Sequence, residues 1–519
     1  MPLVPSQQQA VNKIVEFIKT GEKRIVLKGS AGTGKTFLTN ELIKILKTEC
    51  YKWGAVYVTA PTHKALAVLK TKITHRPYIE FNTIHSALQM RRTVDKHGTV
   101  TFAPPPISKN KNFAPFKNAS FVIIDESSMI GKEFLGFDTI LHNGSVEHTK
   151  GYLENFPNIP FIFIGDDKQL NPVKEIDSPV FTKEYPTVEL TEIIRQGEGN
   201  PIITLSRDLS LIHSNVPQIV DAVRIIKTPK KSTIVVTDTN VIQQEIPFEL
   251  DDNIENQDVD DYSNLEDEVE YDEISEPVSN GFIYSTDRGL IIQRLAEVNG
   301  TDELKYLAWT NEEVDSMNQA VRKFLYGAHP QRIELGETIL FNAPYSDYYT
   351  NQELKVETLN VMEKTFIVPT EHTRFDSSSG SMVVVDDFVR ENGKITMNTD
   401  GSPKKSYDSV NLLVYIINDS VVVLHEKSDF EFTKLKTKIL YKCRSMEIPW
   451  LAKYFFEEQV ANVTYNHAIT IHKSQGSTYR KSIINVKNAM INRNIAERNR
   501  LLYTAITRSS ELTILYNVW

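Results

Sequence analysis

The segment GSAGTGKT at residues 29–36 constrains this 519-residue chain more than any other stretch. It fits the pattern G-x-x-x-x-G-K-[ST], between an apolar run, RIVLK at 24–28, and a helical pattern, TFLTNELIKIL at 36–46. Glycines let backbone N–H groups curl around phosphate oxygens, and a helix that begins directly after them presents its positive end. The segment therefore predicts a strand, a phosphate-binding loop and a helix that together hold a nucleoside triphosphate.

Each residue of this loop has a predicted role. The ammonium group of Lys35 would hold the β- and γ-phosphates, and the hydroxyl of Thr36 would ligate Mg²⁺. The backbone that would cradle the phosphates comprises Gly29, Ser30, Ala31, Gly32, Thr33 and Gly34. ATP and Mg²⁺ are therefore the predicted ligands.

Two further strand patterns end in polar residues suited to the same chemistry. SFVIIDE at 120–126 ends in Asp125, predicted to hold the Mg²⁺ shell, and Glu126, predicted to polarise the attacking water. PFIFIGD at 160–166 leads to Gln169, which could sense the γ-phosphate, while Asp166 could support the water. For this second pair, an ordinary capped strand followed by a turn is the alternative interpretation.

Short apolar runs alternate with helical patterns in two blocks, which indicates parallel sheets covered by helices. The predicted class is α/β with two such domains, the first at residues 1–85 and 118–240 and the second at 281–337 and 461–519. The remaining segments are a hairpin insertion at 86–117, an acidic and disordered segment at 241–280, and a β-rich insertion at 338–460.

The net charge of −9 is misleading because acidic residues are concentrated in one stretch. Residues 249–276 hold 14 Asp or Glu and no Lys or Arg, so without them the net charge would be +5. A mildly basic remainder permits a nucleic-acid partner without requiring one. The acidic stretch could compete with nucleic-acid phosphates, recruit a basic partner, or serve as a solvated spacer.

Two cysteines are too few for a disulfide framework or a cysteine-based zinc site. No apolar run reaches 18 residues, and MPLVPSQQQ lacks the basic start and apolar core of a signal peptide. These features predict a cytoplasmic protein with no membrane partner.

Nine short motifs occur in the order found in superfamily 1 helicases, and the chain resembles the RecD-like, or Dda-like, subfamily. The motifs are GSAGTGKT (29–36), APTHKA (60–65), NTIH (82–85), DESSM (125–129), GDDKQLNPV (165–173), LTEIIRQ (190–196), AWTNEEVDSMN (308–318), TIHKSQGST (470–478) and LLYTAITR (501–508). Two departures stand out: Asn171 replaces a proline common in relatives, and TNQELKVE at 350–357 lacks the glycine of the usual NGQ turn.

The resemblance implies two RecA-like motor domains with ATP between them and an SH3-like insertion. It also implies that Gln7 reads adenine, that Arg195 and Arg508 reach the γ-phosphate, and that Gly476, with Lys473 and Gln475, couples its loop to the nucleotide. Phosphoryl transfer concentrates negative charge on the γ-phosphate oxygens. Guanidinium groups that reach these oxygens when the two domains close would stabilise that charge. A surface salt bridge is the alternative for either arginine.

The same resemblance places single-stranded DNA across both domains, on hydroxyl and imidazole groups that need not read bases. The predicted contacts are Pro61, Thr62, His63, Thr83, His85, Thr310, Asn311, Thr470 and His472. Ordinary loop or helix-cap residues are the alternative for each. Residues 90–103 predict a hairpin turning at KHG. The resemblance implies that this hairpin is a strand-separating pin with Phe102 as its aromatic residue, and the alternative is that Phe102 packs the hairpin on the domain.

The predicted function is an ATP-dependent DNA helicase that moves 5′→3′, the direction resting on the resemblance alone. The predicted partners are single-stranded DNA and duplex forks, together with a single-strand-binding protein or replication proteins. The chain is predicted to act as a monomer. The alternatives are an RNA helicase or RNA–protein remodeller, the motor of a nuclease complex, and an ATP-gated binding switch.

Overall fold

The fold was analysed in a computed structural model, which describes residues 3–51, 53–104, 114–140, 146–192, 202, 205–206, 225–228, 231–236, 281–376 and 382–518. Arg195 and the acidic stretch at 249–276 lie outside these residues.

The first domain is built on a parallel sheet. The strands of this part of the chain are β1 (Arg24–Gly29), β2 (Ala55–Ala60), β3 (Ile79–Thr83), β4 (Arg91–Val94), β5 (Val100–Ala103), β6 (Ala119–Ile124), β7 (Phe137–Ile140), β8 (Val146–Thr149), β9 (Phe161–Gly165) and β10 (Thr187–Leu190). Six of them form one parallel sheet in the order β10-β1-β9-β6-β2-β3, while β4–β5 and β7–β8 are separate hairpins.

Helices cover both faces of this sheet. They are α1 (Pro5–Lys19), α2 (Lys35–Glu49), α3 (His63–Lys72), α4 (Ile84–Ala87), α5 (Lys132–Leu135) and α6 (Pro179–Thr182). Alternate residues of the strands pack into two apolar clusters, one against α1–α3 and one against α4–α6. Because the strands are parallel, the residues that follow β1, β6 and β9 meet at one edge of the sheet.

The second domain has a seven-stranded sheet in the order β11-β12-β13-β27-β26-β14-β25. Its strands are β11 (Ile225–Thr228), β12 (Lys231–Val236), β13 (Gly281–Ser285), β14 (Leu304–Ala308), β25 (Ala468–Thr470), β26 (Tyr479–Asn485) and β27 (Ser509–Tyr516). Across the sheet, the neighbouring strands β13, β27, β26, β14 and β25 pair in parallel. The helices of this domain are α7 (Arg288–Val298), α8 (Asn311–Tyr326), α11 (Val486–Met490) and α12 (Ile495–Ile506).

The sheet requires one correction to the predicted boundaries. Strands β11 and β12 pair with each other and, through β12, with β13, so they belong to the second sheet and not to a first domain ending at residue 240. Strand periodicity does not indicate which sheet a strand joins. The predicted α/β class with two parallel-sheet domains is confirmed.

The insertion contains helices as well as strands, which the sequence patterns did not indicate. Its strands are β15 (Thr338–Phe341), β16 (Glu353–Lys355), β17 (Leu359–Pro369), β18 (Phe375–Asp376), β19 (Val383–Val384), β20 (Arg390–Glu391), β21 (Lys394–Ile395), β22 (Tyr407–Ile417) and β23 (Val421–Leu424), with β24 (Val463–Tyr465) following. Its helices are α9 (Asp429–Arg444) and α10 (Trp450–Glu457). Sheets β16-β15-β24 and β17-β22-β23 hold it together, and its SH3-like character stays a prediction.

Candidate nucleotide cleft and nucleic-acid face

The phosphate loop lies between β1 and α2, as the sequence predicted. Gly32 and Gly34 have positive φ values of 85° and 75°, which side chains rarely adopt. A Cβ added at Gly29 would lie 2.7 Å from Oγ1 of Thr33, so the loop is too tight for a side chain there. Lys35 Nζ donates to the carbonyl oxygens of Gly29 (2.7 Å) and Ser30 (3.0 Å). This concave backbone beside an ammonium group fits a triphosphate.

The two carboxylates follow β6 at the same edge of the sheet. Asp125 is buried, and its backbone N–H donates to Thr59 O at 2.9 Å. Burial and the neighbouring Glu126 raise the pKa of Asp125 well above its usual range, whereas Lys35 opposes that rise. A buried carboxylate and the half-buried hydroxyl of Thr36 are oxygen donors of the kind Mg²⁺ prefers, so these residues fit the ion.

Glu126 has a left-handed backbone conformation, with φ 50° and ψ 41°. This conformation is uncommon for a residue other than glycine and turns the chain sharply away from the strand. The side chain stays half-buried beside Asp125. Such strain at the end of a strand is frequent at functional sites.

The turn after β9, residues 166–170, contacts helix α12 of the second domain. Tyr503 Oη donates to Asp166 Oδ2 at 2.7 Å, and Ala31 N–H donates to Tyr503 Oη at 3.4 Å. Leu170 N–H donates to Thr504 Oγ1 at 3.3 Å. One helix of the second domain therefore contacts both the phosphate loop and this turn.

Arg500, on the same helix, strengthens this contact. Its guanidinium donates to the carbonyl oxygens of Asp167 and Gln169, the latter at 3.1 Å, and pairs with Asp177 at 3.2 Å. Sequence analysis missed Tyr503, Thr504 and Arg500. The first two lie inside LLYTAITR, but the motif does not indicate which of its side chains cross the cleft.

Gln169 is buried beside these contacts, and its Oε1 has no hydrogen-bond partner among the described residues. Its predicted contact with the γ-phosphate stays a prediction. Gln7 is also buried: its Nε2 donates to Thr33 O at 3.4 Å, so it touches the phosphate loop directly. Its role in reading adenine stays a prediction.

Arg508 is buried in the second domain and bonded to neighbours there. Its Nε donates to Thr504 O (3.0 Å), its Nη1 to Ser477 O (3.1 Å) and its Nη2 to Thr507 Oγ1 (3.3 Å). These bonds do not bring it to the phosphate loop, so a contact with the γ-phosphate would require it to leave them. That role stays a prediction.

The TIHKSQGST loop lies directly against the first domain. Gly476 has φ 75°, and a Cβ added there would lie 2.8 Å from Cβ of Ala65. Gln475 Nε2 donates to Leu170 O at 3.3 Å. Lys473 Nζ donates to Asn342 Oδ1 at 2.8 Å, which links the loop to the insertion. The predicted coupling loop therefore contacts both other parts of the molecule.

The residues predicted to contact DNA lie mostly at the starts of helices on both domains. Four of them accept a hydrogen bond from the backbone N–H three residues later: Thr62 (3.2 Å), Thr83 (3.2 Å), Thr310 (3.3 Å) and Thr470 (3.3 Å). Thr83 and Thr470 are also buried, which favours the capping interpretation for those two.

The other predicted contacts are more open to solvent or carry an imidazole. His63 and Asn311 are exposed, and Pro61 is half-buried. Burial lowers the pKa of His85 and His472, which favours the neutral imidazole, a group that can donate or accept a hydrogen bond.

The β4–β5 hairpin stands next to this face. Phe102 is 50% exposed and pairs with Arg92 across the hairpin. Its ring meets that of His85 edge to face, with centroids 5.9 Å apart. An aromatic side chain thus lies beside a predicted DNA contact while half of it stays open to solvent.

The tip of this hairpin is held by α10 of the insertion. Trp450 Nε1 donates to Lys96 O at 3.0 Å, and Tyr454 Oη donates to Gly98 O at 3.0 Å. A Cβ added at Gly98 would lie 2.6 Å from the Trp450 ring, so the two surfaces touch. Nothing in the sequence indicated that segments more than 350 residues apart would meet here.

Comparisons with known proteins agree with this organisation. A family model described as an AAA domain matches residues 2–224, and one described as a UvrD-like helicase C-terminal domain matches residues 465–516. None of the helices in the described part of the chain is long and apolar enough to cross a membrane.

Two curated proteins are similar along their whole length. An uncharacterised protein of Acanthamoeba polyphaga mimivirus is 25% identical over 545 residues, which cover 97% of this chain and 98% of that protein. The ATP-dependent DNA helicase Dda of Enterobacteria phage T4 is 24% identical over 527 residues, which cover 98% and 97%. The solved Pif1 helicase from Candida albicans covers 99% of this chain and 94% of its own, with 18% identity and a TM-score of 0.42. The chain thus resembles an AAA domain in its first part and a UvrD-like helicase C-terminal domain near its end, and its resemblance to the superfamily 1 helicases is confirmed.

Proposed function

We propose that this chain is an ATP-dependent DNA helicase that moves 5′→3′ along single-stranded DNA and separates the duplex ahead of it. The observation that carries the proposal is the contact of α12 with both the phosphate loop and the turn after β9, through Tyr503 and Arg500. ATP bound at that loop would therefore act on the second domain through these contacts, and a motor requires such coupling between nucleotide binding and domain position.

Hydrolysis would use residues at the carboxyl edge of the first sheet. Lys35 would bind the β- and γ-phosphates, Thr36 and Asp125 would hold Mg²⁺, and Glu126 would orient and polarise the attacking water. The ion would neutralise charge on the phosphate oxygens. Gln169, Arg195 and Arg508 would complete the site when the domains close.

Movement along DNA would follow from the same contacts. Closing and reopening the cleft changes the separation of the DNA contacts that begin α3 and α4 from those that begin α8 or lie in the TIHKSQGST loop. Contacts made by hydroxyl, imidazole and amide groups to phosphate and sugar tolerate any base sequence. The pin around Phe102 would then part the strands at the fork.

The direction and the DNA substrate rest on the resemblance and on the T4 relative. We further infer that the chain acts as a monomer in a reducing cytoplasm during phage-type replication, recombination or repair, where it would meet a single-strand-binding protein or other replication proteins.

Strand displacement on matched duplexes with a 5′ or a 3′ single-stranded tail tests the proposal. We expect ATP-dependent unwinding of the 5′-tailed duplex, and ATPase stimulation by poly-dT that exceeds stimulation by poly-U. Preference for poly-U would instead identify an RNA helicase. ATP-dependent DNA binding without strand displacement would identify a binding switch.

A further inference from the structure

A polar cluster joins the first helical turn of α3 to the insertion and to the second sheet. Lys64 Nζ lies 3.1 Å from Glu353 Oε1, with the two side chains 19% and 26% exposed. The same ammonium lies 5.4 Å from the centroid of the Tyr479 ring. One first-domain residue thus contacts β16 of the insertion and β26 of the second domain.

The carboxylate of Glu353 also faces a second cation. Lys305 is fully buried, its Nζ donates to Gly300 O (3.1 Å) and Asn466 O (2.7 Å), and it lies 5.7 Å from the same Tyr479 ring. Although burial opposes it, the charges of Lys305 and Lys64 lower the pKa of Glu353, so the carboxylate is ionised at neutral pH. The exposed Asp302 adds a more distant negative charge.

A tight turn connects Glu353 to an aromatic contact. The backbone N–H of Gln352 donates to Tyr349 O at 3.0 Å, and the N–H of Tyr349 donates to Gln352 Oε1 at 3.0 Å. Asn351 takes the left-handed conformation, φ 65°, which asparagine tolerates better than most residues. This explains how TNQE can replace a turn that usually contains glycine.

Two neighbouring residues of α3 therefore meet two residues of one turn. The ring of Tyr349 is stacked on that of His63, with centroids 4.6 Å apart and planes inclined by 21°. In the chain, Lys64 directly follows His63, and Glu353 lies four positions after Tyr349. Because His63 is a proposed DNA contact, anything that holds the turn against α3 also holds the ring pair at that contact.

We infer that Glu353, acting through Lys64, is a positioning residue for the bound strand: the ion pair keeps Tyr349 stacked on His63 and so slows release of single-stranded DNA. The inference rests on the proposed function. Neither charged group needs to touch DNA, and their effect should appear in strand affinity and lifetime rather than in the rate of ATP cleavage.

Lys64→Met tests the inference first, because Glu353 still faces Lys305 and keeps a counter-charge in that variant. Fluorescent oligo-dT is bound to the full chain, chased with unlabelled oligo-dT, and its release is timed. We expect release about fivefold faster than from the wild type, the upper range for a partly exposed pair. The oligo-dT concentration that half-saturates ATPase stimulation should rise similarly, with the maximal rate changed by less than about twofold.

Three further variants distinguish positioning from a general loss of structure. Glu353→Gln should release DNA at least as fast as Lys64→Met, because it also removes the counter-charge of Lys305, and the double variant should be no worse than Glu353→Gln alone. Lys64→Arg keeps the charge and should release DNA at close to the wild-type rate. The control is Glu49→Gln, which removes the exposed Lys19–Glu49 pair at 3.0 Å on the same domain and should change nothing.

Release of oligo-dT from Lys64→Met at the wild-type rate would overturn the inference. So would a double variant whose increase in release rate is the product of the two single increases. A fall in melting temperature that accounts for faster release, without rescue by Lys64→Arg, would also overturn it. Failure of the proposed function is a separate outcome, because it would appear in the wild type as absent oligo-dT binding or absent unwinding of a 5′-tailed duplex.

Discussion

The hydroxyl of Tyr503 lies 2.7 Å from Oδ2 of Asp166 and joins the two motor domains at the nucleotide cleft. The same oxygen accepts a hydrogen bond from Ala31 N–H at 3.4 Å, in the phosphate loop. Both side chains are buried, so solvent does not compete for the bond. One oxygen atom of α12 therefore contacts both the phosphate loop and the turn after β9.

Tyr503→Phe should weaken the coupling between ATP and DNA. It removes only the hydroxyl and leaves the buried carboxylate of Asp166 short of a donor, which costs about 1.4 kcal/mol or more. We expect the ATPase rate at saturating oligo-dT to fall about tenfold. Tyr441→Phe is the control, because that ring is 70% exposed. An unchanged rate would mean that the Tyr503 hydroxyl carries no coupling.

Asp125→Asn should abolish Mg²⁺-dependent hydrolysis yet stabilise the metal-free protein. Burial and Glu126 raise the pKa of Asp125 to about 7, from an ordinary 3.8. The protonated form thus stabilises the wild type at low pH, and this contribution is lost as the pH rises through 7. In EDTA, the variant should be more stable than the wild type by about 1–2 kcal/mol at pH 8, with little difference near pH 4.

Urea unfolding at several pH values measures that difference. A variant that is less stable than the wild type at pH 8 would contradict the inference that the ionised Asp125 carboxylate destabilises the metal-free protein.

Phe102→Ala should slow unwinding without affecting movement on single strands. Stacking of an aromatic ring on a base contributes about 1–3 kcal/mol, comparable with the mean ~1.4 kcal/mol of one DNA stacking step. We expect fork unwinding about five- to tenfold slower, with ATPase stimulated by oligo-dT close to wild type. Phe430→Ala is the control, because that ring is 79% exposed on α9. A parallel loss of both activities and of thermal stability would identify Phe102 as a packing residue.

Trp450→Ala should have the same effect as Phe102→Ala, slower unwinding with unchanged ATPase activity, although Trp450 lies on the insertion. Its indole N–H donates to Lys96 O at 3.0 Å, so the variant removes one of the two α10 side chains that hold the tip of the pin. We expect slower unwinding of forked duplexes and an unchanged oligo-dT-stimulated ATPase rate. Trp53→Ala, which removes an indole that is 88% exposed, is the control. Normal unwinding by the Trp450 variant would mean that the pin needs no support from α10.

Local features were predictable because they depend on neighbouring residues. The phosphate loop, Asp125 and Glu126 each follow an apolar strand within a few positions, and a parallel sheet brings such strand ends together whatever lies between them. The β4–β5 hairpin follows from two short strand patterns separated by a turn at KHG. The TNQE turn departs from the usual turn with glycine, and φ 65° at Asn351 shows that an asparagine adopts the left-handed conformation there.

Only the tertiary structure decided which distant side chains meet. Tyr503 and Asp166 are 337 positions apart, and Lys64 and Glu353 are 289 apart. Their contacts depend on how two sheets and an insertion pack, which no local periodicity encodes. The same reason explains why β11 and β12 join the second sheet, and why Arg508 bonds within its own domain. Sequence alone determined the chemistry available at each strand end, and packing determined which of those groups face one another.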